Sequence, residues 1–222
     1  MFTRPIVTAA MLLFSIAIAA TEPPSPQTQK TDGSATPPSG ASKNPHEIRR
    51  VVTGKDSSGK AVAITDGPAA NVVVSKERGT TSTLLWVTDS TPADISGSAD
   101  AGNRKIGVPP PPNGTVFRII EFAPEKTLTS TYDERLRVMR AQGLAPQGPT
   151  RDHPRDAGMH RTRTIDYALV ISGEIDMLMD DSEVHLKAGD AVVQQGTNHS
   201  WVNHGNRPAK VAFVLIDAKE PT

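Results

Sequence analysis

From Ile48 onward the chain is a succession of short β-prone runs cut by turn residues. The runs are "IRRVVT", "AVAIT", "NVVVSK", "TSTLLWVT", "TVFRIIEFA", "TIDYALVI", "EIDMLMD", "EVHLK", "DAVVQQ", "HSWVN" and "AKVAFVLID". Between them stand "DSSGK", "TDGP", "SGE", "DDSE", "KAGD" and "NHGNRP", built from residues that favour tight turns. Runs this short leave no room for crossover helices, so the pattern predicts an antiparallel sandwich or barrel. One helix is expected, over Thr131 to Gly143, where Leu136, Val138 and Met139 form a small apolar stripe. Ser96 to Gly114, with its "PPPP", reads as a surface loop of polyproline character.

Ahead of this region the composition changes twice. Residues 1–20 carry Arg4 and then the apolar stretch Ile6 to Ala20, ending in "AIAA". That order of charge, short apolar core and small residues is the pattern of a secretory signal, too short for a comfortable membrane span. Residues 21–45 are Pro, Ser, Thr and Gly with almost nothing apolar, a flexible tether. The expectation is therefore a single domain over residues 46–219, exported to a periplasm or the cell exterior, with no stable membrane insertion after cleavage. The 222 residues include no cysteine, which excludes disulfides, thiolate ligands and a cysteine nucleophile. Lys plus Arg (24) equals Asp plus Glu (24), and no basic block alternates with aromatics, which argues against a nucleic-acid partner.

Two stretches carry chemistry. In "GMHRTRTIDYALVISGEI" a strand with side-chain period two turns His160, Thr162, Thr164 and Asp166 to one face, followed by Ala168 and Val170. Polar at one end and apolar at the other, such a strand suits a barrel with a wet mouth and a dry floor. In "KAGDAVVQQGTNHSWVNHG" a later strand places His199, Trp201 and Asn203 on one face. If the two strands are neighbours, His160, Asp166 and His199 make two imidazoles and a carboxylate, a set that binds Fe, Mn or Zn with positions left open. Thr162, Thr164, Trp201 and Asn203 would line the pocket around it. "GKDSSGKA" imitates a phosphate-cradling loop, but Ala61 replaces the hydroxyl and a strand follows; it reads as a hairpin turn.

These residues resemble the cupin superfamily, whose motifs run G-x5-H-x-H-x3,4-E-x6-G and G-x5-P-x-G-x2-H-x3-N. The second is matched by Gly189, Gly196, His199 and Asn203, with Gln194 at the usual proline. The first keeps His160 and Gly173 and departs at Thr162, the second histidine position, and Asp166, the glutamate position. The likeness covers Gly158 to Asp217 and is closest to single-domain cupins, some called oxidoreductases. It implies a jelly-roll barrel, often dimeric, with oxidation by dioxygen as the reaction to name. Thr162 removes a strong nitrogen donor, and aspartate reaches one methylene less far than glutamate. Three readings stay open: a metal-assisted enzyme on a small organic molecule, a metal-free binding or sensing module, and a dimerisation scaffold.

Overall fold

In the computed structural model the described residues are 47–97, 99–144 and 155–220. The stretches expected to be a signal segment and a tether, together with His46 and His153, lie outside them. Eleven strands occupy the eleven β-prone runs: β1 (Arg49–Lys55), β2 (Ala61–Pro68), β3 (Val72–Ser75), β4 (Thr80–Thr88), β5 (Thr115–Phe122), β6 (Thr164–Ser172), β7 (Glu174–Met179), β8 (Glu183–Lys187), β9 (Ala191–Gln195), β10 (His199–Val202) and β11 (Ala209–Asp217). Among the described residues the one α-helix, α1 (Tyr132–Ala141), falls where the stripe placed it. It starts on a capping box, in which Thr131 and Glu134 satisfy each other's backbone N–H groups.

Every pairing is antiparallel. Six strands form one sheet in the order β3-β4-β5-β11-β6-β9, three form a second, β10-β7-β8, and β1-β2 is a separate hairpin. "DSSG" makes its turn, with Asp56 accepting from the backbone N–H of Ser58 and Lys60. The two larger sheets bury their facing sides together. Leu84, Val116, Phe122, Ala168, Val170, Val211 and Phe213 from one meet Ile175, Met177 and Leu186 from the other. This is the all-β, cupin-type jelly roll that the run-and-turn pattern and the motifs predicted.

Two local features set up the site. Gly173 takes φ 76° between β6 and β7, where an added Cβ would meet Pro208 O at 2.7 Å. Only glycine makes that turn, which carries the chain from the large sheet to the small one. A bulge in β4 between Leu84 and Trp86 leaves Leu84 and Leu85 both buried. The Leu85 carbonyl then accepts from Arg50 Nη1 at 3.0 Å, while Arg50 also pairs with Asp100. Asp100 in turn caps the short turn Ala101–Asn103 through the Gly102 N–H. A single buried guanidinium thus ties the hairpin to the long proline-rich loop.

Candidate active site

The interior of the barrel holds a cavity of about 310 Å³. That is the size of a pocket for a small organic molecule. Of the seven residues expected to build a site, His160, Thr162, Asp166, His199, Trp201 and Asn203 line it. Thr164 does not. It sits behind the wall, almost fully buried, with its hydroxyl 2.7 Å from that of Thr162 and a hydrogen bond to Asp166. The polar row of β6 is therefore a ladder of three bonded side chains, of which two reach the cavity.

His160 and His199 come together as expected. Just before β6, His160 forms an antiparallel bridge with His199 at the start of β10, exchanging both backbone hydrogen bonds at 2.9 Å. Their ring centroids are 4.7 Å apart. Burial, helped by the neighbouring His199 ring, pushes His160 down to about 3, against the pull of the Gly158 carbonyl. Burial likewise lowers His199, against the Thr197 carbonyl. Both rings are thus neutral at pH 7. His160 Nδ1 lies 2.7 Å from Gly158 O and His199 Nδ1 lies 2.9 Å from Thr197 O, so each ring donates from Nδ1 and keeps its lone pair on Nε2. Gln194, at the usual proline, donates from Nε2 to the same Thr197 carbonyl at 2.8 Å.

Asp166 does not complete the triad. Among the described residues no three His, Cys, Asp or Glu side chains are arranged to hold a metal ion. The reason is local: the short Asp166 side chain is engaged by Thr164 and lies in the field of Arg118. Burial raises it to about 6, and the Thr164 hydrogen bond and Arg118 oppose that rise. Two imidazoles fall short of the three protein ligands that catalytic metal sites use, so the residues present do not fit the expected ion.

The aromatic wall is compact. Trp201 meets Phe213 edge-on at 5.2 Å and His199 at 6.4 Å. Asn203 lines the cavity, but its side chain is occupied by structure: Nδ2 donates to Phe122 O and Arg207 O, and Oδ1 accepts from Gly205 N. It pins the loop after β10 to β5. Tyr167, on the opposite parity, is half exposed on the outer face. His185 and His204 are exposed and share Asp176.

Sequence reasoning missed two contributors. Arg118 projects inward from β5 between Val116 and Ile120, donating from Nη2 to Gly107 O at 2.6 Å. A charged residue on the apolar parity of "TVFRIIEF" is a signal that was available. Asp156 lines the mouth and accepts from Ser200 Oγ at 2.5 Å and Gly158 N at 2.7 Å. Those partners lie up to 44 residues away, and no local pattern marks them.

With the barrel, the histidine pair and the motif glycines in place, the class is defined, and comparison agrees. A family model described as "Cupin domain" matches residues 151–216. The chain is 31% identical over 180 residues to phomopsin biosynthesis cluster protein C' of Diaporthe leptostromiformis, covering 77% of this chain and 78% of that protein. It is 28% identical over 180 residues to a cupin-domain-containing oxidoreductase of Neurospora crassa, covering 78% and 77%. A Cupin 2 conserved barrel domain protein from Salinispora arenicola aligns with TM-score 0.35 and 13% identity over 66% of this chain and 82% of that one. The chain belongs to the cupin family.

Proposed function

We propose that this cupin takes a small organic molecule into its barrel and holds a polar group of it against a pair of neutral imidazoles; relatives are named cupin-domain-containing oxidoreductases, and an oxidation of the bound molecule here would draw on dioxygen as the electron acceptor. The observation that carries this reading is the pair of neutral imidazoles at the wall of a cavity that Trp201 and Phe213 also line. The aromatic wall holds the apolar body of the ligand and excludes water. His160, with Nδ1 donating to Gly158 O, offers the Nε2 lone pair as a hydrogen-bond acceptor for a ligand O–H, and burial keeps the ring neutral while it does so. His199, fixed by the Thr197 carbonyl, orients the same group. In this reading the leader carries the domain out of the cytoplasm.

Because Asp166 does not join the two histidines, ligand binding is expected to be independent of Fe, Mn or Zn. Protein purified without a polyhistidine tag and dialysed against a chelator is expected to keep its melting temperature within about 1 °C, since a lost specific ligand would cost several times that. A drop of several degrees, restored by Fe(II), Mn(II) or Zn(II) and absent in His199→Ala, overturns the metal-free reading in favour of a metal-dependent enzyme.

We further propose that two copies pair through the outer face of the six-stranded sheet. Phe117, Tyr167, Leu169, Ile171 and Val193 are each more than a third exposed there, with Val193 at 61%. They form a continuous apolar row, since Val193 pairs with Tyr167, Tyr167 with Val214, and Val214 with Phe117. The neighbouring charges are of both signs, Glu121 beside Lys210 and Arg163 beside Asp217. Light scattering on the eluting protein is expected to give twice the chain mass, and Leu169→Glu to give one; a monomeric wild type overturns the pairing.

A further inference from the structure

Four buried side-chain atoms lack a hydrogen-bond partner among the described residues: Arg50 Nε, Ser75 Oγ, Arg118 Nε and Asp166 Oδ1. All but the first belong to residues that line the one barrel cavity. Burying a polar group without a partner is costly, so such atoms mark places where a ligand completes the bonding. Ser75 stands toward the β3 edge, opposite Thr80. The other two form a set.

Arg118 and Asp166 approach the same floor from opposite sides of β11. Arg118 on β5 pairs across with Phe213, and Asp166 on β6 pairs across with Leu215. Both side chains are more than nine-tenths buried, at 7% and 5% exposed. They act on each other electrostatically, yet neither orphaned atom bonds to the other. Arg118 Nη2 is already committed to the carbonyls of Gly107 and Val108, which fixes the guanidinium, while its buried Nε–H has no partner among the described residues. Thr164 serves Asp166 from behind, which leaves Oδ1 as the spare acceptor. A guanidinium N–H only donates and a carboxylate oxygen only accepts. The complementary head group therefore carries one acceptor and one donor.

We infer that this floor is a subsite for the head group of a hydroxy acid or hydroxy-carbonyl compound, Arg118 Nε–H donating to its carbonyl or carboxylate oxygen and Asp166 Oδ1 accepting from its hydroxyl. The assignment rests on the reading of the barrel as a small-molecule site and names the ligand class for it. Trp201 and Phe213 take the body of the molecule, and the histidine pair lies along the same wall.

Three matched probes test it: mandelate, which has ring, hydroxyl and carboxylate; phenylacetate, which lacks the hydroxyl; and 1-phenylethanol, which lacks the carboxylate. In calorimetric titrations of the full chain, mandelate is expected to bind about ten-fold or more tightly than either, because each deletion leaves a buried protein group unpaired. Asp166→Leu is expected to erase the mandelate-to-phenylacetate ratio and spare the other. Arg118→Lys is expected to erase the mandelate-to-1-phenylethanol ratio. Should either variant fail to fold, as seen by circular dichroism, the wild-type ratios and the near-isosteric Asp166→Asn decide the matter. Equal binding of all three probes overturns the subsite and leaves the cavity reading standing. Binding of none overturns both.

Discussion

Gly102→Ala is expected to lower the stability of the folded domain by about 3–5 kcal/mol, on the order of 10 °C in melting temperature. The position looks innocuous, in a three-residue turn inside the long proline-rich loop. Yet a Cβ there would fall 1.6 Å from Arg50 Nη1 and 2.6 Å from Leu85 O. The carbonyl belongs to the β4 bulge and cannot retreat without undoing the register of the large sheet. The guanidinium must leave instead, abandoning Asp100 and the Leu85 carbonyl in a place where Arg50 is only 9% exposed. Stripping a buried charge of its partner costs several kcal/mol, a large share of a typical domain's stability. Gly97→Ala in the same loop provides the control, since nothing lies within 4 Å of its added Cβ and the change should stay within about 0.5 kcal/mol. Denaturant titration of both variants checks the pair. Equal, small effects would mean that Arg50 does not bridge the hairpin and the loop.

That bridge also illustrates what the sequence made legible. All eleven strands and the helix could be placed, because period-two apolar runs and Gly, Asp and Asn turns are local signals. The meeting of His160 with His199 was legible too, since one parity rule applied to two strands puts both rings inside. Asp166 marks where that reasoning stops. Parity gave its face correctly, but whether a carboxylate reaches a shared point depends on side-chain length and on competitors such as Thr164 and Arg118. Thr164 and Asn203 were assigned to the pocket by the same rule; Thr164 lies behind the wall, while Asn203 lines the cavity with its side chain spent on holding a loop. Parity says which way a side chain points and nothing of what it bonds to. Arg50 with Asp100 and Asp156 with Ser200 join residues 50 and 44 positions apart, contacts made only by the closed barrel.

The second large effect concerns pH, and Asp166→Asn isolates it. Burial lifts the Asp166 carboxyl to about 6 from an ordinary 3.8. The folded state therefore holds this proton more tightly than the unfolded chain does. The favourable contribution of the group is full below pH 3.8 and is lost as pH rises through about 6. A shift of this size corresponds to about 3 kcal/mol. Relative to the wild type, the asparagine variant is expected to show a constant offset near pH 4 and then to gain up to that amount by pH 7. His160 and His199 act in the opposite direction, since their folded values are lowered. Their contribution is full above pH 6.5 and fades as acid protonates the unfolded chain first. Wild-type stability should accordingly rise from pH 4 to about 6.5 and then level, while the variant rises more steeply over the same range. Chemical denaturation at half-unit intervals reads both curves, and a difference curve that stays flat across this window would mean that Asp166 is not held charged against its surroundings. A variant more stable than the wild type at neutral pH would mean that the domain tolerates a buried carboxylate at a cost to its own fold. Such a cost is characteristic of a group kept for binding or chemistry, and this carboxyl group also carries the Oδ1 that lacks a partner.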